Sequence, residues 1–141
     1  MSEREFSLKL RVYIEDTDAG GIVYYANYLK FMERARTEYM RLLGFGRQYI
    51  FNHDLMFVVR DASISYLSPA RLDDELDVTA SIRAVRAASI QMSQCVQHAG
   101  EPITRAELTL ACVDRVESKP RRIPADMALV LRKQQHECET I

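Results

Sequence analysis

The stretch Asn27-Tyr-Leu-Lys-Phe-Met-Glu-Arg-Ala-Arg-Thr-Glu-Tyr-Met-Arg-Leu42 decides the fold class. Tyr28, Phe31, Met32, Ala35, Tyr39 and Leu42 recur at steps of three and four, while Lys30, Glu33, Arg34, Thr37, Glu38 and Arg41 fill the remainder. A helix turns once in about 3.6 residues, so this spacing gathers the apolar side chains on one face and predicts a helix that buries one stripe. Asn27 is expected to cap its start and Gly44 to stop it. Arg34 and Glu38 stand one turn apart, a surface pair worth a few tenths of a kcal/mol.

On the N-terminal side, Phe6, Leu8, Leu10, Val12 and Ile14 alternate with residues that include Lys9 and Arg11, which predicts a half-buried strand over 6–14. Residues 15–26, with Asp16, Asp18 and Gly20-Gly21, read as a loop. Beyond Gly46 the pattern is that of strands. Residues 57–66 place Ala62, Ile64 and Tyr66 on one face, and Ser68-Pro69 breaks the run. Leu76, Val78, Ala80, Ile82 and Ala84 alternate next, then Ile90, Met92 and Val96, then Ala106, Leu108, Leu110 and Cys112. A short helix is expected from Ala125. The order is strand, long helix, then a four-strand antiparallel meander, an α+β domain spanning 1–141 in which one sheet wraps the helix. Unpaired sheet edges call for a second copy, a dimer or a tetramer.

Composition excludes several classes. Nineteen Lys and Arg face twenty Asp and Glu, a net charge of -1, so no global field draws nucleic acid or an anionic membrane. The opening residues include Glu3, Arg4, Glu5 and Lys9, unlike a signal peptide, and no run reaches the ~18 apolar residues of a membrane span. Cys95, Cys112 and Cys138 are an odd, scattered set and read as free thiols in a reducing cytoplasm. His53, His98 and His136 lie far apart in different elements, so no metal site is expected.

The densest chemistry lies in Arg11-Val-Tyr-Ile-Glu-Asp-Thr-Asp-Ala-Gly-Gly-Ile-Val-Tyr-Tyr-Ala-Asn-Tyr28. A strand ends in Glu15, Asp16 and Asp18 just before a glycine pair and a helix start. Helix starts carry unpaired N–H groups, and a carboxylate facing such donors can act on a carbonyl while the amides hold the oxyanion. Taken alone, the same residues read equally as caps and turn formers. No Gly-x-Ser-x-Gly elbow, Walker loop or Gly-x-Gly-x-x-Gly loop is present.

The signature Arg11-Val12, Thr17-Asp18, Gly21-Ile22-Val23-Tyr24 and Ala26-x-Tyr28 resembles the active-site segment of the 4-hydroxybenzoyl-CoA thioesterase family, and within it the Tol-Pal-associated YbgC group. Glu33-Arg-Ala-Arg-Thr-Glu38, Tyr66-x-x-Pro-Ala-Arg-Leu-Asp-Asp74 and Lys119-x-Arg-Arg-Ile-Pro124 extend the similarity over roughly residues 8–125. The resemblance implies a hot-dog fold, acyl-CoA thioester hydrolysis and no cofactor. It implies Asp18 as the catalytic carboxylate and the Tyr25 N–H as the oxyanion donor. Much of the YbgC group has histidine at the Tyr25 position, but a main-chain donor survives that change. Glu33 is a second helix carboxylate, read as a surface ion-pair partner, and Arg60 as a structural one.

A thiolate leaves readily, so the site needs chiefly an attacking oxygen and oxyanion stabilisation, with Asp18 as nucleophile or general base. Gly21, Tyr24 and Tyr28 are candidates to touch the substrate, with Tyr24 and Tyr28 equally placed as core. Coenzyme A phosphates call for arginine or lysine, and Arg86, Lys119, Arg121 and Arg122 are the candidates. The carrier is coenzyme A or acyl carrier protein. A hot-dog dehydratase and a noncatalytic partner of envelope or lipid-synthesis assemblies are the competing readings; the first lacks a histidine beside Asp18 in this loop.

Overall fold

The periodic stretch is a helix over its full predicted length. In the computed structural model, which describes residues 5–135, the elements are β1 (Phe6–Arg11), a single 3-10 turn (Ile14–Asp16), α1 (Asn27–Leu42), α2 (Arg47–His53), β2 (Leu55–Tyr66), β3 (Glu75–Val85), β4 (Ser89–His98), β5 (Glu101–Asp114) and α3 (Ala125–Lys133). Phe31, Met32 and Ala35 are fully buried on the face of α1 that meets the sheet, and burying each of the two larger side chains contributes about 1.5–3 kcal/mol. Gly44, at φ 101, lets the chain leave the helix in the left-handed region. His136 and Cys138 lie outside the described residues; Cys95 and Cys112 are free cysteines.

Four local expectations change. Asn27 is the first helical residue rather than the cap, because its amide turns back to the buried Asp16 carboxylate. Leu42 is 71% exposed, since Tyr39 and Phe45 take the interior positions at that end. Glu38 pairs with Arg41 instead of Arg34, which lies 5.9 Å from the Phe31 ring centroid. The first strand stops at Arg11, and the 3-10 turn points Ile14 to solvent at 76% exposure.

The five strands form one antiparallel sheet in the order β1-β3-β4-β5-β2. Only β3, β4 and β5 make the expected meander. The chain leaves α1 through α2, a helix the sequence reading took for strand territory, and is delivered to the far edge. There β2 pairs with β5, from Leu55↔Asp114 to Tyr66↔Thr104, with a bulge between Val59 and Asp61. The segment after Tyr66 then crosses back, Leu67 and Ser68 donating to the Ile103 carbonyl, to reach β3 beside β1. Two buried clusters result. One joins Val12, Phe31, Met32, Leu76 and Val78 near the start of α1; the other joins Leu55, Ile82, Ile90, Met127 and Leu131, where α3 closes the opposite end. Among the described residues no helix is long and apolar enough to cross a membrane.

Candidate active site

The loop between β1 and α1 is a small hairpin. Thr17 and Val23 bridge, the Asp18 N–H donates to the Ile22 carbonyl at 2.9 Å, and the Tyr24 N–H donates to the Asp16 carbonyl at 3.0 Å. Gly21, at φ 81, makes the turn, and its carbonyl accepts from the Leu72 N–H. The Val23 N–H donates to the Ala70 carbonyl, so the hairpin is pinned to the crossing segment on both sides.

Asp16, 4% exposed, organises this hairpin. Its Oδ1 accepts from Asn27 Nδ2 at 2.8 Å and its Oδ2 from the Tyr13 N–H at 2.9 Å. Sequence reading passed over it as one acid of three; its burial comes from tertiary packing, which residue spacing does not report.

Asp18 lies exposed at the tip. Its Oδ1 accepts from the Gly20 N–H at 2.8 Å, an Asx turn, and among the described residues nothing bonds its Oδ2. Not every donor at the helix start is free: the N–H groups of Asn27, Tyr28 and Leu29 donate to the carbonyls of Tyr24, Tyr25 and Ala26. Those of Tyr25 and Ala26 have no partner among the described residues. One carboxylate oxygen and two adjacent main-chain donors thus stand available on the same hairpin.

Aromatic rings surround these donors. Tyr25 is tilted against Tyr24 at 4.9 Å between centroids and edge-on to Tyr66 at 6.2 Å. The Tyr66 hydroxyl donates to the Tyr25 carbonyl, fixing the peptide that follows the free Tyr25 N–H. Tyr66 was not among the candidates, although the sequence motif Tyr66-x-x-Pro69 contains it. Tyr28 sits in the core at 3% exposure, where its hydroxyl accepts from the Ala70 N–H. Burial pushes the Tyr28 phenol up. Tyr24 is exposed, its phenol raised by the hydrogen bond to Tyr25.

The basic candidates lie elsewhere. Arg86, Arg121 and Arg122 line a surface concavity of about 480 Å³, joined there by Arg132 of α3. The Arg121 guanidinium also donates to the carbonyls of His53 and Asp54, closing the end of α2. Lys119 is outside the lining and sits 3.7 Å from Glu117. Arg60 is 3.4 Å from Asp61, both exposed, and Glu33 makes no ion pair among the described residues. Because Val12 is bonded to Asp74 at the start of β3 and Arg86 follows its end, hairpin and concavity lie at opposite ends of that strand. At ~3.3 Å per residue that is about 33 Å within one chain.

The model of the thioesterase-like superfamily matches residues 12–131. The chain is 42% identical to the acyl-CoA thioester hydrolase YbgC of Escherichia coli O6:H1 over 125 residues, 88% of this chain and 93% of that one. It is also 42% identical to the acyl-CoA thioesterase YbgC of Haemophilus influenzae, covering 90% and 94%. A crystal structure of a probable thioesterase from Bartonella henselae superposes with a TM-score of 0.81 at 34% identity, covering 86% of this chain and all of that one. The sheet-and-helix arrangement is the α+β hot-dog fold that the sequence implied.

Proposed function

The chain belongs to the thioesterase-like superfamily, and from that membership we propose a specific chemistry for its acyl-CoA thioester hydrolysis. Asp18 supplies the attacking oxygen, either itself, through an acyl-enzyme anhydride that water cleaves, or by taking a proton from an attacking water. The Tyr25 N–H, with that of Ala26, receives the oxyanion; one such donor contributes about 3 kcal/mol to the transition state. The thiolate departs without strong acid assistance because its conjugate thiol has a pKa near ~8.5. The observation that carries this reading is the unpaired Tyr25 N–H on the same short hairpin as a carboxylate with one free oxygen.

Gly21 lets the backbone of the hairpin approach the thioester, and Tyr24 flanks the acyl group. Tyr28 serves from below, holding Ala70 and the crossing segment in place. Arg86, Arg122 and Arg132 hold the phosphates of the carrier, coenzyme A or the phosphopantetheine of an acyl carrier protein; Arg121 contributes charge while it closes α2, and Lys119 sits at the margin. Since those arginines and Asp18 lie off opposite ends of β3, a strand about 33 Å long, a working site draws them from two copies in a homo-oligomer, a dimer or a tetramer. The free cysteines suit a cytoplasmic setting. Thiol release from acyl-CoAs by the native chain and by Asp18→Asn tests the reading: the native chain turns over and the variant is slower by about 10²–10⁴. Equal rates from both would end it.

A further inference from the structure

Between the second half of α1, α2 and the start of β2 lies a groove of about 290 Å³. Met40, Phe45, Ile50, Phe57, Met92 and Leu110 make its wall largely apolar. Arg36 interrupts that wall. Its guanidinium donates through Nη1 to Gln94 Oε1 at 3.0 Å, and no carboxylate of the described residues pairs with it. Gln94, 2% exposed, spends its own Nε2 on the carbonyls of Met32 and Thr79 at 3.0 and 3.1 Å. Burial draws the Arg36 pKa down, with Glu33 opposing.

The other two arginines of the groove are engaged. Arg41 is held by Glu38, and Arg47 stands over the Phe51 ring, 5.2 Å from its centroid. Glu33 is the one carboxylate in the lining and makes no ion pair with Arg36. A guanidinium has five N–H donors, and a neutral amide answers one of them. Arg36 is half-buried, so its remaining N–H groups face the groove beside an apolar wall, and the groove is complementary to a ligand with an apolar body and an oxygen acceptor.

One face of α1 leads from the groove back toward the hairpin. Glu33, Arg36 and Met40 lie on a stripe of α1 that runs back through Leu29 toward Tyr25, and at ~1.5 Å per residue Arg36 is about 16 Å along the axis from the Tyr25 N–H. We propose that the groove receives the far part of the acyl group and that Arg36 selects acyl groups ending in a hydroxyl or carboxylate over the same chain ending in methyl. This rests on the thioesterase reading given above.

The test is a hydrolysis panel of acyl-CoAs of matched length ending in methyl, hydroxyl or carboxylate. In the native enzyme the kcat/KM ratio of oxygen-ended to methyl-ended substrate should be about tenfold, the effect of one charge-assisted hydrogen bond, and Arg36→Met should bring it to about one. Should Arg36→Met unfold, the double variant Arg36→Met with Gln94→Met removes both polar partners together and reads the same ratio. A flat ratio in the native enzyme, or one unchanged by these variants, overturns the assignment. Calorimetric titration with a free dicarboxylic acid separates this from the parent reading. Arg36-dependent binding without any turnover sinks the hydrolase and keeps the groove; turnover with no Arg36-dependent binding or selectivity sinks the groove alone.

Discussion

Asn27 Nδ2 donates to Asp16 Oδ1 at 2.8 Å, and both residues are buried, at 6% and 4% exposure. The bond ties the first residue of α1 to the near arm of the hairpin that carries Asp18. Asn27→Ala leaves a buried carboxylate oxygen without its donor. It should cost about 1–3 kcal/mol, since the desolvation of that oxygen is no longer offset. Thermal unfolding should show a midpoint lower by several degrees, and Asn27→Asp, which sets a second carboxylate against the first, should be worse at neutral pH.

Asp18→Asn should lower kcat by about 10²–10⁴ while the unfolding midpoint stays close to native. Asparagine keeps an acceptor for the Gly20 N–H, so the turn survives the loss of charge. Stopped-flow thiol release alongside calorimetric unfolding checks both halves of this expectation.

The role of Tyr25 as a main-chain donor predicts insensitivity to its side chain. Tyr25→Phe and Tyr25→His should hold kcat within a few fold. Tyr25→Pro, which deletes the N–H, should reduce kcat by about 10²–10³. Equal losses in all three would instead assign the effect to the phenol hydroxyl, the one group that all three remove, which bonds with Tyr24.

Charge removal at the arginine concavity should separate binding from chemistry. Arg86→Ala, Arg122→Ala and Arg132→Ala should each raise KM several-fold with kcat nearly constant, and added salt should shrink the difference between native and variant. Arg121→Ala should behave differently, lowering the unfolding midpoint as well, because it releases the His53 and Asp54 carbonyls. Initial-rate kinetics at low and high salt, with unfolding curves for each variant, decide between these outcomes.

The Tyr49 phenol is pushed up to about 12, first by burial and then by its hydrogen bond to Asp126. An unfolded tyrosine ionises near ~10. The fold therefore holds the neutral phenol where the unfolded chain has released its proton, and stability present below pH ~10 is lost as pH rises toward 12. Tyr49→Phe should flatten part of that alkaline loss in denaturant titrations across this range.

What the sequence disclosed follows from which forces leave a periodic trace. Phe31, Met32 and Ala35 face one sheet along an unbroken helix, so their spacing alone located α1. The alternation of Val78, Ala80 and Ile82 did the same for β3. By contrast α2 has seven residues and none fully buried, too short to complete a pattern, and its presence sends β2 to the far edge. Asp18 and Tyr25 enter as candidates through motif resemblance alone, because an exposed turn leaves no periodic trace. Asp16 and Gln94 do not, since a buried polar side chain is recognised by partners distant in sequence, here Asn27 and Thr79.

The two flanks of the sheet are unequal. β1 is six residues long and bears Lys9 and Arg11, each matched across to an acid on β3, Asp77 and Glu75. β2 is twice that length, and among the described residues no strand pairs with its outer edge. Growth by strand addition is thus discouraged on one side and open on the other. Copies joined through β2 would have no second sticky margin to offer, so the association would terminate as a closed pair instead of propagating into a fibre.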